Sequence, residues 1–420
     1  MNWLSLDRKQ LANVENSLKE IIARAADEDS HTQFTPIALC QELVQKIIDQ
    51  GISSEKDWLV IANLEILFVV RALFLHNGWS LDKLHYASAS ERKLKFASNL
   101  LGNKNVHKYE YCKIKEWDLK MEFDVVISNP PYQNGNLARD GIKTSSTLWP
   151  VFIKKSIEDL LKDNGFLLFV SPQSWMGPGK QLLRSVKMVS YFVDNQTHVV
   201  NLDCGSFFNV GSSFSYFLIE KTPNIKSTTF IKNGKTFEMD LRGLSFVPNG
   251  NSEIENDIIR KVLLANNKKI KLEVSSKTRS DSKHVSKIKD EEHKYPVRHT
   301  NTETLWSSLK PSHFSNKKVI LNSSGTFLPI YDNGENATSQ LCRWIDVPTE
   351  DFGKRLADFI SNNRIIKICL QGCRYSGCAS SDVLASIPFI DFSRSWTDAE
   401  LYAHFGLTQE EIDLIESTVK

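Results

Sequence analysis

The stretch "FDVVISNPPYQNG", Phe123 to Gly135, decides how this chain is read. Its first half, Phe123 to Ser128, has the near-continuous apolar character of a strand covered on both faces of a parallel sheet. Asn129-Pro130-Pro131-Tyr132 follows directly. A turn accounts for the prolines, but not for an amide and a phenol at the mouth of a strand. Ligands of open α/β sheets sit beyond the carboxyl ends of the strands. Proline fixes φ and carries no N–H, so this loop is rigid and its carbonyls are left to accept. The Asn129 side-chain oxygen and the Pro130 carbonyl make two acceptors. Their natural match is an NH2 group conjugated to a ring or a carbonyl. Accepting both hydrogens localises the nitrogen lone pair and presents it for attack. Tyr132 stacks on the flat group that carries the amine, as an extruded base is held.

Outward from this strand, apolar periodicity alternates. Residues 5–27 read as an N-terminal helix, and "FTPIALCQELVQKIIDQG" as a second one that starts at Thr35-Pro36 and stops at Gly51. A buried strand from Leu59 to Ala62 runs into an apolar helix. "KLHYASAS" is a short strand and "ERKLKFASNLLG" a helix. "TLWPVFIKKSIEDLLKDNG" is read as an amphipathic helix ended by Gly165, with "FLLFVSP", "HVVNLDC" and "SFSYFLIEK" as later strands. This alternation over residues 55–222 predicts an α/β doubly wound sheet with right-handed crossovers.

The 420 residues suffice for two domains, and a charged content of 24% with 41% hydrophobic residues is that of a soluble globular protein. A net charge of +2 announces no partner, although a basic cleft can hide in a neutral total. The longest apolar run, "WLVIANLEILFVV", is broken by Asn63 and Glu65 and is too short for a bilayer, so no membrane is expected. The first residues lack the apolar centre of a secretory signal, and the seven cysteines are scattered, which predicts a cytoplasmic protein. Cys369, Cys373 and Cys378 do not have a zinc-knuckle spacing and are expected as free thiols. No metal site is predicted. Between Arg260 and Thr300 twelve Lys/Arg stand against five Asp/Glu, which suits either a solvated linker or a phosphate-facing segment. The chain ends in two short helices with Thr397 and Thr408 as N-caps.

The core "EWDLKMEFDVVISNPPYQ", Glu116 to Gln133, resembles the gamma class of N6-adenine DNA methyltransferases found in restriction-modification systems and phages. The likeness extends through "LWPVFIKKSIEDLLKDNGFLLFVSPQSW" and the ending from Ser376 to Ile412, and covers most of the chain. The order of segments, Thr-Pro first, Asn-Pro-Pro-Tyr next and the target-reading part last, is that of the gamma class. The resemblance implies a Rossmann-like seven-stranded sheet with one antiparallel strand at its edge, flanked by helices, and a C-terminal α+β target-recognition domain. The implied layout is an N-terminal helix over 1–30, a catalytic domain over 31–235 and a DNA-binding domain over 236–420. It implies transfer of a methyl group from S-adenosylmethionine to N6 of a flipped adenine in double-stranded DNA, with a cognate restriction endonuclease as a further partner. Asn129 and the Pro130 carbonyl take the amino hydrogens, Tyr132 stacks on the base, and Phe207 or Phe208 supplies a second ring, Phe208 slightly ahead.

On the cofactor side the resemblance assigns Thr35 and Pro36 to the segment that closes over the methionine part, and Asn129 to the same pocket. The glycine-rich loop expected after the first strand is replaced by "LVIANLEILF", where Asn63 and Glu65 offer side-chain contacts instead. Glu91 is the candidate for the ribose hydroxyls. The acid expected before "EW" is Lys113, so that role is unfilled or falls to Glu110. Methylation of a protein glutamine or of a guanine amino group in RNA would use the same two acceptors. A DNA-binding protein on a degenerate methyltransferase fold is the non-enzymatic alternative.

Overall fold

The computed structural model describes residues 13, 15–20, 34–132, 147–178, 187–208, 213–275, 277–322, 328–375 and 381–418. Residue 13 and residues 15–20 are helical, and the rest of the expected N-terminal helix lies outside the described residues. So do residues 133–146, which follow the Asn-Pro-Pro-Tyr turn, and Cys378. Two compact units emerge, one of residues 1–173 with 180–243, the other of 174–179 with 244–420.

The first unit is built on one sheet. Helix α1 (Ile37–Ile48) precedes β1 (Trp58–Ile61), α2 (Leu64–His76), β2 (Leu84–Ser88), α3 (Glu91–Leu101), β3 (Val106–Lys108) and β4 (Phe123–Ser128). Then come α4 (Trp149–Lys155), β5 (Leu161–Pro172), α5 (Ser190–Asp194), β6 (Asn195–Asn201), β7 (Phe214–Pro223), β8 (Thr228–Lys232) and β9 (Lys235–Met239). Among the described residues the sheet has nine strands in the order β3-β2-β1-β4-β5-β7-β6-β8-β9. Strands β1 to β5 pair in parallel, and β1 lies between β2 and β4 with Val60 opposite both Tyr86 and Ile127. Parallel neighbours need a crossover, and α2 and α3 supply it for β1–β2 and β2–β3.

The period of two in each strand divides the core into two faces. Trp58, Val60, Val125, Ile127, Leu168 and Val170 point into one cluster with Leu43, Ile47, Leu67 and Val70 of the helices. The alternating Leu59, Val126, Leu167 and Phe169 are also fully buried. Phe169 stacks on Phe217, which takes Phe192 of α5 edge-on at 4.6 Å between ring centroids. Burial on both faces explains why these strands read as continuous apolar runs.

Four expectations are corrected here. The sheet has nine strands, not seven, because β8 and β9 add to its edge. The antiparallel strand is not at that edge: β7 lies between β5 and β6 and is antiparallel to both. Only 12 residues join β6 to β7, with no long helix among those described, and so short a link returns a strand antiparallel to its neighbour. The helix expected to reach Gly165 ends at Leu160 after a wide π turn, and Leu161 already pairs with Phe123. Asn164 adopts φ +60° inside β5, and a Cβ on Gly165 would stand 2.8 Å from the Lys162 carbonyl. The glycine therefore serves a bulge in the strand rather than a helix stop. The domain boundary expected at 235 falls inside β9, since Asn233 and Gly234, both at positive φ, make a tight hairpin turn between β8 and β9.

The second unit carries a four-stranded sheet, β10 (Val285–Ser286), β12 (Thr304–Ser307), β11 (Tyr295–Arg298) and β15 (Ala337–Thr338). A three-stranded sheet joins β14 (Ile330–Asn333), β13 (Lys317–Asn322) and β16 (Cys342–Asp346). Lys318 and Asp332, opposite each other in β13 and β14, form a fully buried ion pair at 2.7 Å. The helices are α6 (Glu253–Ile259), α7 (Glu350–Asn362), α8 (Arg364–Gln371), α9 (Ser381–Leu384), α10 (Asp398–Phe405) and α11 (Gln409–Thr418). Thr397 caps α10 in a reciprocal pair with Glu400, and Thr408 and Glu411 repeat the arrangement at α11. Cys369 and Cys373 are buried free thiols. Among the described residues no helix is long and apolar enough to cross a membrane, and no cluster of three metal-ligating side chains occurs.

Candidate active site

β1 and β4 are neighbours, so the residues that follow them converge beyond one edge of the sheet. Ser128 ends β4 with its hydroxyl donating to the Ile61 carbonyl at 3.1 Å, which ties the two strand ends together. Ala62 leaves β1 at φ +72°, a conformation that glycine adopts at no cost. Its N–H donates to the Ala87 carbonyl at 2.8 Å, and its own carbonyl accepts from the Tyr86 hydroxyl at 3.1 Å and the buried Lys93 Nζ at 3.3 Å. Those contacts hold the turn where the glycine-rich loop was expected.

The turn sets Asn63 as N-cap of α2 and Glu65 in its first turn. The Asn129 N–H donates to Asn63 Oδ1 at 2.8 Å, and Asn63 Nδ2 donates to Glu65 Oε1 at 3.2 Å. The same Oε1 accepts the Thr35 N–H at 2.8 Å. Asn129 Nδ2 donates to Thr35 Oγ1 at 3.0 Å, and Asn129 Oδ1 accepts from the Tyr132 hydroxyl. Thr35, Asn63, Glu65 and Asn129 are all at most 2% exposed. Four residues that sequence reasoning drew from three distant segments thus form one hydrogen-bonded network. Pro36 is the N-cap residue of α1, its carbonyl accepting from the Cys40 N–H at 3.0 Å, and so sets where Thr35 stands. Pro130 is buried, and among the described residues no donor reaches its carbonyl.

Glu65 is the one ionisable member. Among the described residues no Lys, Arg or His lies within ion-pair distance of it, and its Oε2 carries no hydrogen bond. Removing a carboxylate from water costs several kcal/mol. Two N–H donors and the α2 N-terminus, the latter contributing roughly 0.3–1 kcal/mol, offset part of that.

The aromatic residues gather alongside. Tyr132 packs on Phe214 with ring centroids 5.1 Å apart and planes 32° apart, and the Phe208 ring centroid lies 5.5 Å from that of Phe214. Phe207 packs against the same cluster. Burial pushes the Tyr132 phenol well above its usual pKa, with Cys204 adding to the shift, so the hydroxyl stays protonated as a donor. Phe214 was not singled out from sequence. Its place at the start of an alternating strand, directly after a Ser-Ser pair, was the available signal.

Glu91 does not join this group. It is the first residue of α3, exposed, and paired with Lys108 of β3. Glu110 is likewise on the surface, 3.1 Å from Lys113.

Residues 52–202 match the Eco57I restriction-modification methylase family. A curated protein of Mycoplasma pneumoniae, described as an uncharacterized adenine-specific methylase, is 25% identical over 133 residues. That stretch spans 29% of this chain and 29% of the methylase, under a third of its length. Among solved structures, the type IIG restriction endonuclease BpuSI aligns over 96% of this chain and 62% of its own, at 12% identity and a TM-score of 0.43. The methyltransferase subunit of a type I restriction-modification system from Streptococcus thermophilus aligns over 56% of this chain and 57% of its own, at 16% identity and a TM-score of 0.38.

Proposed function

We propose that the chain is a site-specific DNA methyltransferase of the restriction-modification type, acting on the exocyclic amino group of an extruded adenine. The observation that carries this reading is the setting of Asn129. Its backbone N–H is fixed by Asn63 and its Nδ2 by Thr35, while Oδ1, on which the Tyr132 hydroxyl donates in the free protein, and the Pro130 carbonyl are the acceptors offered to an incoming NH2 group. The family match over residues 52–202 and the adenine-specific methylase relative support the same chemistry. Tyr132, with Phe207 or Phe208, would supply the ring surfaces for the base.

The donor set suits S-adenosylmethionine at its methionine end. A buried carboxylate beside a hydroxyl and an amide suits an ammonium or sulfonium, and Thr35, Asn63 and Glu65 would hold that end. The cofactor, when bound, supplies an electrophilic methyl group on positive sulfur. Asn129 and Pro130 would hold the amine so that its nitrogen lone pair is directed at that methyl group. After transfer the methylated nitrogen would be cationic and acidic enough to release its extra proton to water, so no side-chain base is required. A ribose contact by Glu91 would require it to leave Lys108. The second unit, with its lysine-rich stretch, is proposed to read double-stranded DNA, and a cognate restriction endonuclease is the expected companion.

The test is transfer of label from S-adenosylmethionine. Purified chain should mark unmethylated plasmid DNA as N6-methyladenine, and Asn129→Ala should lower the rate about 100- to 1000-fold while the protein stays folded. Label in RNA or protein alone would overturn the substrate assignment. A second reading, a DNA-binding protein that holds cofactor poorly, is favoured by Ala62, whose carbonyl is already occupied by Tyr86 and Lys93. Calorimetry with S-adenosylmethionine separates the two: absence of binding by folded protein selects the second.

A further inference from the structure

Asparagine presents nearly the same shape with its oxygen and nitrogen exchanged, so a site that uses its oxygen must fix which way the amide faces. Asn129 is 1% exposed, and water cannot decide the matter. Its amide lies between two hydroxyls, Thr35 on the nitrogen side and Tyr132 on the oxygen side. Both can donate or accept, but they are unequal. A phenol is the stronger acid and the better donor, and an aliphatic hydroxyl oxygen is the better acceptor. Thr35 is held in turn by groups that cannot exchange roles. Its N–H, a donor only, is on the Glu65 carboxylate, an acceptor only. Asn63 receives the Asn129 backbone N–H on Oδ1, which forces its Nδ2 towards Glu65 and, at a long 3.5 Å, towards Thr35 Oγ1.

We infer that Thr35, held by Glu65 and Asn63, is a positioning residue that sets the polarity of the Asn129 amide and thereby selects an amino group over a carbonyl on the captured base. This rests on the proposed adenine-methylating function and goes beyond the cofactor role that sequence gave to Thr35. With Nδ2 committed to Thr35, only Oδ1 faces the base, and Tyr132 yields that acceptor to the amine N–H. A base with oxygen in place of the amino group, hypoxanthine for adenine, would set acceptor against acceptor. The reversed amide would favour hypoxanthine instead.

Thr35→Val keeps the shape and removes the acceptor. Either amide orientation then leaves one end against a methyl group, and the polarity is no longer fixed. Glu65→Gln is the complementary variant. Its Oε1 can still accept from Thr35 and Asn63, so polarity survives while the charge is lost.

The experiment first maps modified adenines in the genome of a host expressing the wild-type chain, which gives the recognition site. Duplexes carrying adenine or hypoxanthine at that target are then titrated by fluorescence anisotropy, with S-adenosylhomocysteine present so that no transfer occurs. The wild type should prefer adenine about tenfold to hundredfold, the worth of one buried hydrogen bond exchanged for an unsatisfied pair. Thr35→Val should bring the ratio to within about threefold, Thr35→Ser should restore it, and Glu65→Gln should keep the ratio while weakening the cofactor. A Thr35→Val protein that methylates DNA, or binds it, with the wild-type ratio intact overturns the inference and leaves the function standing. A wild type that modifies no adenine and binds no duplex overturns both.

Discussion

The two ends of the central strands of the first sheet handle charge in opposite ways. At the amino ends, Lys162 bridges Asp57 at 3.0 Å and Asp124 at 2.8 Å, Lys83 reaches Asp57 at 3.1 Å, and Lys56 reaches Asp124 at 3.1 Å. Each of these five charges has a partner, and the lysines are more than a third exposed. At the carboxyl ends, Glu65 is 2% exposed and no cation among the described residues reaches it. Water and opposite charge complete the first cluster. The second is closed to water, and no cation among the described residues joins it. A buried charge left open is costly to the free protein, and such a cost persists where binding recovers it.

The contrast is sharpest in the sign of a stability change. Glu65→Gln removes a buried carboxyl that no cation among the described residues reaches, and should leave the free protein as stable as the wild type or about 1 kcal/mol more so. Its affinity for S-adenosylmethionine should fall by about 2–5 kcal/mol, thirtyfold or more, as for truncating one partner of a buried charge pair. Urea denaturation and calorimetry read the two quantities separately. A free protein destabilised by several kcal/mol would mean that the carboxylate is structural, and the distinction between the two ends would fail.

The next effect in size concerns Tyr132. Stacking on a base is worth about 1–3 kcal/mol, so Tyr132→Ala should weaken capture of the target base roughly fivefold to hundredfold. Tyr132→Phe keeps the ring and removes the hydroxyl that occupies Asn129 Oδ1 in the free protein. It should bind no worse than the wild type, and severalfold tighter if displacing that hydroxyl is the main cost. Fluorescence of 2-aminopurine at the target position reports base capture. Equal losses in both variants would place the hydroxyl, not the ring face, on the substrate.

The same contrast explains what sequence could carry. Thr35, Asn63, Glu65 and Asn129 stand out because polar residues beside apolar runs need a reason, and all four meet in one network. What a local reading lacked was direction. Glu91 has the composition of a cofactor ligand, but its first-turn place on α3 aims it at Lys108. The link from Thr35 to Asn129 spans 94 positions and depends on α1 docking over the sheet, which no local pattern encodes. Strand existence was legible from apolar runs, whereas strand order was not: β7 and β5 have similar composition, and only pairing makes one antiparallel. The Asn164-Gly165 bulge was read as a helix stop because the same two residue types serve both turns. Asn233-Gly234 carries the sequence signal of a two-residue hairpin turn, and that signal sets the edge of the first unit beyond 235.

The smallest effect belongs to the amino ends. Burial alone would raise the pKa of Asp57, but Lys162 and Lys83 outweigh it and hold the carboxyl below its usual value. Burial likewise opposes ionisation of Asp124, and Lys162, the Asp57 N–H and Lys56 bring it down. A carboxyl lowered on folding binds its proton more readily in the unfolded chain. Its contribution to stability is therefore complete above about pH 4, the unfolded value, and is lost as pH falls through the folded one. Lys162→Met should cost about 1 kcal/mol or less at pH 7, because the ammonium is 38% exposed and solvent screens it. It should also flatten the acid limb, since Asp57 and Asp124 then titrate nearer their unfolded values. Neither methyl transfer nor the adenine-to-hypoxanthine ratio should change. Denaturation midpoints between pH 5 and pH 3, alongside the binding titration, check this. A loss of base selectivity in Lys162→Met would tie the two ends together and remove the separation on which the comparison rests.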